Sequence, residues 1–130
     1  MIVKNPLLRY HGSKWQIANW LIERFPPHYT YVEPFGGGAA VLLSKSASKA
    51  EVYNDLDSEM TNLFTVVRDH QDELLRRLFY TPFSRDAYHE AFERARDPEG
   101  IADPIERARI TLTVSYQALC SAGVTRKWRP

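Results

Sequence analysis

The stretch Tyr31–Lys45, YVEPFGGGAAVLLSK, sets three consecutive glycines between a short run of β-formers and a short run of helix formers. A strand-to-helix turn of this kind exposes backbone N–H groups above the strand end. Glycine lets a ligand approach that backbone closely, and helix N-terminal amides favour polar or negative groups. The match to the dinucleotide pattern GxGxxG is partial, because Gly36 and Gly38 fit but the third position holds Val41. No GxxxxGK[ST] segment is present, which excludes a P-loop. Taken alone, the loop also reads as a tight turn that binds nothing.

Working outward, Tyr29–Glu33 reads as a first strand ended by Pro34, AAVLLSK as a short helix, and Glu51–Asn54 as a second strand. Upstream, GSKWQIANWLIERFPP predicts a capped helix, with Ser13 as N-cap, Gln16 three residues on, Ile17, Trp20, Leu21 and Phe25 at helical spacing, and Pro26 and Pro27 as the stop. Downstream, Met60, Leu63, Phe64 and Val67 share one face of a helix for which Asp57 is the best N-cap. The order strand, glycine turn, helix, strand, acid is the opening half of a doubly wound α/β unit.

Past Arg68 no strand signal appears. Leu74, Leu75 and Leu78 mark one helix; Tyr88, Ala91, Phe92 and Ala95 mark another, broken by DPEG. Asp103 as N-cap, Pro104 at the first helical position and Glu106 at the third open a last helix. Its predicted buried stripe is Ile105, Ala108, Leu112, Tyr116 and Leu119, and Gly123 is its expected stop. The expectation is one domain with an α/β unit over residues 1–68 and a helical part over 69–130.

The net charge of +1, from 17 basic and 16 acidic side chains, carries no global field, so any nucleic-acid surface must be a local patch. Cys120, the single cysteine, reads as a buried structural thiol. No secretory leader is seen and no run of roughly 18 apolar residues occurs, so a cytoplasmic, reducing location is expected. His11, His28, His70 and His89 are scattered without ligand spacing, and no metal is expected.

Asp55 lies 19 residues after Gly36, at the end of the second predicted strand. An acid there can accept hydrogen bonds from the ribose hydroxyls of an adenosine. Glu33 precedes the loop, where it either acts on the amino end of a ligand or serves as a half-buried carboxylate bonded to loop amides.

RYHGSK, VEPFGGGAAV, YNDLD and YQALCSAG, in this order, make the chain resemble the N-terminal part of a DNA adenine N6-methyltransferase of the Dam-like class. The resemblance implies an incomplete Rossmann-like, S-adenosylmethionine-dependent methyltransferase fold with a helical C-terminal half, and double-stranded DNA as substrate. It implies Tyr10 and Lys14 as upstream cofactor contacts, Asp55 as the ribose acid, and Glu33, Pro34, Phe35, Gly36 and Gly38 as the cradle for the methionine side. Lys14 suits the cofactor carboxylate, and the Tyr10 ring suits an adenine or a sulfonium.

The chain departs from the family in one respect. The family's [DNS]-P-P-[YFW] motif, which accepts the amino hydrogens of the flipped adenine, is missing. The only Pro-Pro pair, in FPPHY, has Phe25 in place of the acceptor and reads as a helix stop. A truncated product, a fragment, or half of a split enzyme completed by a second chain would all have this sequence. Arg126, Lys127 and Arg129 around Trp128 suit phosphates and an unstacked base, or else form an ordinary basic terminus.

Overall fold

A computed structural model describes residue 3 and residues 5–118. Leu119, Cys120, Gly123 and the basic cluster Arg126, Lys127 and Arg129 lie outside the described residues. Two short strands, β1 (Thr30–Glu33) and β2 (Ala50–Tyr53), pair in parallel, with Val32 opposite Val52 and Glu33 opposite Tyr53. The crossover between them carries the glycine loop and a short helix, α2 (Ala40–Ser44). Pairing continues into the loop ends, where Asn54 N–H donates to the Glu33 carbonyl at 2.9 Å. Both strands match the sequence expectation to within a residue.

The segment ahead of the strands does not. It is a single 3-10 turn, Trp15–Ile17, leading into a five-residue helix, α1 (Ala18–Ile22), with Lys14 and not Ser13 at the N-cap position and no side-chain cap bond. Ile17 and Trp20 stay about half exposed, so little tertiary burial supports a longer helix, and short helices are marginal without it.

The helical half comprises α3 (Ser58–Asp69), α4 (Gln71–Phe79), α5 (Arg85–Ala95) and α6 (Pro104–Gln117); α3 falls within residues 1–68 of the expected α/β unit, but its buried side chains share one core with α4 and α6. Asp57 and Asp103 cap α3 and α6 as their sequence positions demand, accepting from Glu59 N–H and Ile105 N–H, each at 2.9 Å. Helix α6 is buried on two sides. Ala108 and Leu112 meet Met60, Leu63 and Val66 of α3 and Leu74 of α4, while Ile110 and Val114 meet Ala91 of α5. The single expected stripe was therefore half of the buried surface.

Three further expectations change. Leu75 is 54% exposed because only Leu74, and in part Leu78, face the core. Tyr116 is 41% exposed, its hydroxyl donating to the Leu7 carbonyl at 3.0 Å. Helix α6 ends at Gln117, well short of Gly123, where Ala118 turns to an extended conformation.

The N-terminal segment joins the two halves. Leu8 is part of the helical core, and the buried Ser115 hydroxyl of α6 both accepts from Arg9 N–H and donates to the Arg9 carbonyl, each at 2.9 Å. This clamp spans 106 residues of sequence and fixes Tyr10, the next residue, beside the glycine loop.

Candidate functional site

The loop from Pro34 to Ala39 is held by the end of β2. Gly36 N–H donates to the Asn54 carbonyl at 2.9 Å, the Asn54 side-chain amide donates to the Pro34 carbonyl at 2.9 Å, and Gly37 N–H donates to Asp55 Oδ2 at 2.7 Å. The second Asp55 oxygen accepts from Asp57 N–H at 2.9 Å. Both members of the Asn54–Asp55 pair are thus fasteners of the glycine turn.

Two aromatic rings explain the glycines. A Cβ at Gly36 would lie 2.1 Å from Tyr53 Cε2, and one at Gly37, whose φ is +49°, would lie 2.7 Å from Tyr10 Cε1. Neither contact is possible for a side chain, so the rings press directly on the backbone. Tyr53 is locked there by its hydroxyl, which donates to the Gly37 carbonyl at 2.7 Å. Just beyond, Ala39 takes a left-handed conformation with φ 51°, which costs a non-glycine residue about 1 kcal/mol. Backbone held in this way at a cavity edge is a feature of binding sites.

An open cavity of about 260 Å³ lies between Tyr10 and Lys14 on one side and Glu33–Gly38 on the other. Seven of the eight residues expected to hold a cofactor line it: Tyr10, Lys14, Glu33, Pro34, Phe35, Gly36 and Gly38. Asp55 is at the loop but not in the cavity wall. The volume is just under the ~300 Å³ at which ligand pockets generally begin, so these walls surround only part of a nucleoside-sized molecule. Phe35, in the cavity lining, and Leu56, 90% and 96% exposed, follow the two strands and offer apolar surface to solvent.

Glu33 is built in from below. Its Oε1 accepts from Tyr31 hydroxyl at 2.8 Å and from Leu42 N–H at 2.9 Å, while the buried Oε2 has no partner. Lys45 lies 4.7 Å over the Tyr31 ring and pairs with Glu51, which holds it against Tyr31. The only other buried side-chain polar atom without a partner among the described residues is Ser13 Oγ, and it lines the same cavity. Buried polar atoms are normally paired, so two orphans on one cavity wall mark a place where a polar ligand is expected. Helix α2, with five residues, is too short for its dipole to dominate such a site; the loop amides and side chains must do so.

Burial first, and then the Asp55 carboxylate, push the Tyr53 hydroxyl well above its ordinary range; the same two causes, in the same order, raise Tyr10. Burial and the Glu33 carboxylate do likewise for Tyr31. The charged side chains of the cavity wall are of both signs, Lys14 and Glu33. Among the described residues no three His, Cys, Asp or Glu side chains gather into a metal-binding group, and no helix is long and apolar enough to cross a membrane.

Sequence reading missed Ser13 as a cavity residue, Tyr53 as the ring over Gly36, Tyr31 and Lys45 as supports of Glu33, and Asn54 as a loop fastener. Only Asn54 carried a local signal, by standing beside Asp55 in the YNDLD segment.

Known proteins resemble the chain along most of its length. The type II methyltransferase M.MjaIII of Methanocaldococcus jannaschii is 32% identical over 82 residues, covering 56% of this chain and 28% of that protein. The type II methyltransferase M1.LlaDCHI of Lactococcus lactis subsp. cremoris is 27% identical over 114 residues, 85% of this chain and 39% of that protein. The DNA adenine methylase of Haemophilus influenzae is 25% identical over 123 residues, 88% of this chain and 42% of that protein. The chain thus matches well under half the length of each of these relatives. The family described as D12 class N6 adenine-specific DNA methyltransferase matches residues 10–128, nearly the whole sequence, and the chain belongs to that family.

Proposed function

We propose that this chain is the cofactor-binding part of a site-specific DNA adenine N6-methyltransferase, holding S-adenosylmethionine at the glycine loop. One observation carries the reading: the loop cavity collects Tyr10, Lys14 and Glu33–Gly38 around two buried polar atoms without partners, with Asp55 fastened to the same loop. Lys14 Nζ, exposed and donating to the Gly12 carbonyl at 2.8 Å, suits the cofactor carboxylate. Glu33 Oε2 suits its ammonium. Each Asp55 oxygen keeps a lone pair beyond its backbone bond, and these suit ribose hydroxyls. When bound, the cofactor supplies an electrophilic methyl group on sulfur; the residues here bind and orient it.

In a complete enzyme, the bound cofactor would supply that methyl group to adenine N6, whose displaced proton would need an acceptor beside it. Accepting the amino hydrogens is the task of the acceptor-Pro-Pro-aromatic motif, which this sequence lacks. That motif must come from polypeptide outside this sequence, either further along the same protein or in a second chain. The sheet agrees with such an addition. Val32 and Val52, paired on one face, are about half exposed, and both strands of a two-stranded sheet are edges open to further strands. A Rossmann-like sheet of which residues 1–68 form the opening, followed by a helical part leading to target recognition, fits these features. Double-stranded DNA is the substrate on this reading, Arg126, Lys127 and Arg129 contact its phosphates, and the enzyme works in the cytoplasm.

The missing acceptor motif also favours a second reading, in which the chain alone binds S-adenosylmethionine or DNA without chemistry. Calorimetric titration with S-adenosylmethionine tests what the two share. Binding is expected, and Asp55→Ala should weaken it by about 1–3 kcal/mol by removing the ribose acceptors together with the bond that holds Gly37. No binding by the unmodified chain would refute the cofactor assignment. A methyl-transfer assay on duplex DNA separates the readings, and the 130-residue chain alone is expected to show no turnover.

A further inference from the structure

The hydroxyl of Ser13 has no role in local structure. Lys14, not Ser13, stands at the N-cap of the following turn, and Ser13 is held by its backbone N–H, which donates to the Tyr10 carbonyl at 3.1 Å. Gly12, at φ +76°, permits this reversal. Ser13 Oγ is left buried, unpaired and in the wall of the loop cavity, close enough to Gly38 that a Cβ there would lie 3.9 Å from it.

We infer that Ser13 Oγ is a positioning group for the amino-acid end of S-adenosylmethionine, an assignment that rests on the cofactor reading above. The neighbouring wall supplies the reason. The charged side chains lining this cavity are Lys14 and Glu33, one of each sign, and the unpaired Glu33 Oε2 is an acceptor still to be filled. Opposite charges on one wall match a zwitterion, an α-carboxylate beside an α-ammonium. A serine hydroxyl both donates and accepts, so it bonds either group. The adenosine end is drawn elsewhere, because its ribose acceptor Asp55 is not in this wall. With Tyr10 covering Gly37, the space beside Lys14 and Glu33 is left to the smaller, charged end of the ligand.

The test is Ser13→Ala, examined with and without ligand. In the unliganded chain the variant should melt at the same temperature or higher, since it removes a buried hydroxyl that bonds nothing. Calorimetry should show affinity for S-adenosylhomocysteine falling roughly tenfold, the loss of one hydrogen bond to a charged group. Affinity for 5′-methylthioadenosine, which lacks the amino-acid end, should be unchanged. Equal losses for both ligands, or a lower melting temperature of the free variant, would overturn the role of Ser13 while leaving the cofactor reading intact. Failure of the unmodified chain to bind either ligand would overturn that reading, and this inference with it.

Discussion

The helical half and the glycine-loop half are built to different standards of self-sufficiency. In the helices, caps are made at Asp57, Ser84 and Asp103, the core is continuous through α3, α4 and α6, and the buried Glu59 is paired with Arg107 across α3 and α6. In the loop half, a non-glycine residue is left-handed, two buried polar atoms are unpaired, and the apolar pair Val32 and Val52 is half exposed. Left-handed backbone and unpaired buried polar atoms gathered in one region, while the other pairs its buried carboxylate and caps most of its helices, locate function in the first and stability in the second. The helical half is the platform: through Leu8 and the Ser115–Arg9 clamp it holds Tyr10 against the loop.

The largest expected effect therefore comes from the platform. Leu63 is fully buried in the helical core, and Leu63→Ala should cost about 3 kcal/mol by opening a cavity among Met60, Val66 and Leu112. Urea denaturation followed by far-ultraviolet circular dichroism measures this. Variant molecules that remain folded should bind cofactor normally, because Leu63 does not line the cavity. A cost below 1 kcal/mol would mean that the two halves do not divide stability and function in this way.

Gly36→Ala reverses the division. The new Cβ would overlap Tyr53, which cannot simply swing aside, with its hydroxyl bonded to Gly37 and its ring 4.8 Å from that of Phe64. A strain of about 2 kcal/mol is expected, and the loop must move to relieve it. Cofactor binding should be abolished while the helical signal in circular dichroism persists. Full binding by this variant would show that the cavity wall tolerates displacement and is not preorganised.

What the sequence disclosed follows the same division. Caps and strand ends depend on neighbours a few residues away, and so Asp57, Asp103 and the β1 and β2 limits were legible. The glycine loop was legible because backbone closeness demands glycine, whereas the use of Asp55 as a fastener, accepting from Gly37 N–H and Asp57 N–H, was not. Features that depend on distant partners were not. The Arg9–Ser115 clamp that holds the expected Tyr10 at the loop left no local mark, and α6 has a second buried side only because α5 folds onto Ile110 and Val114. Ser13 misled for a sharper reason: serine followed by glutamine three residues on is a good helix start, and only the long-range placement of RYHGSK against the loop turns that hydroxyl to another use.

The gentlest test of the comparison is pH. In the helical half, hydrogen bonds from Arg76 and then Arg77 hold Glu73 at about 2, Arg77 lowers Asp103, and Arg109 lowers Glu106. Carboxyls depressed in the folded state contribute stability that is present above their unfolded range, near 4.5 for Glu, and is lost as pH falls through the folded values. In the loop half the shifts run the other way. Tyr10, Tyr31 and Tyr53 are raised above 10.0, first by burial and then by the neighbouring carboxylates Asp55 and Glu33, so their contribution is complete below pH 10.0 and is lost as pH rises beyond it. Glu51, lowered by Lys45, is an acid-sensitive contact in the loop half and should make a minor exception. Hydrogen exchange read by mass spectrometry at pH 3 and above pH 10, corrected for intrinsic rates, should show protection lost first in α4 and α6 under acid and first around the glycine loop under alkali. The same order of loss at both extremes would contradict the division, since it would mean that one cooperative unit carries both sets of charges.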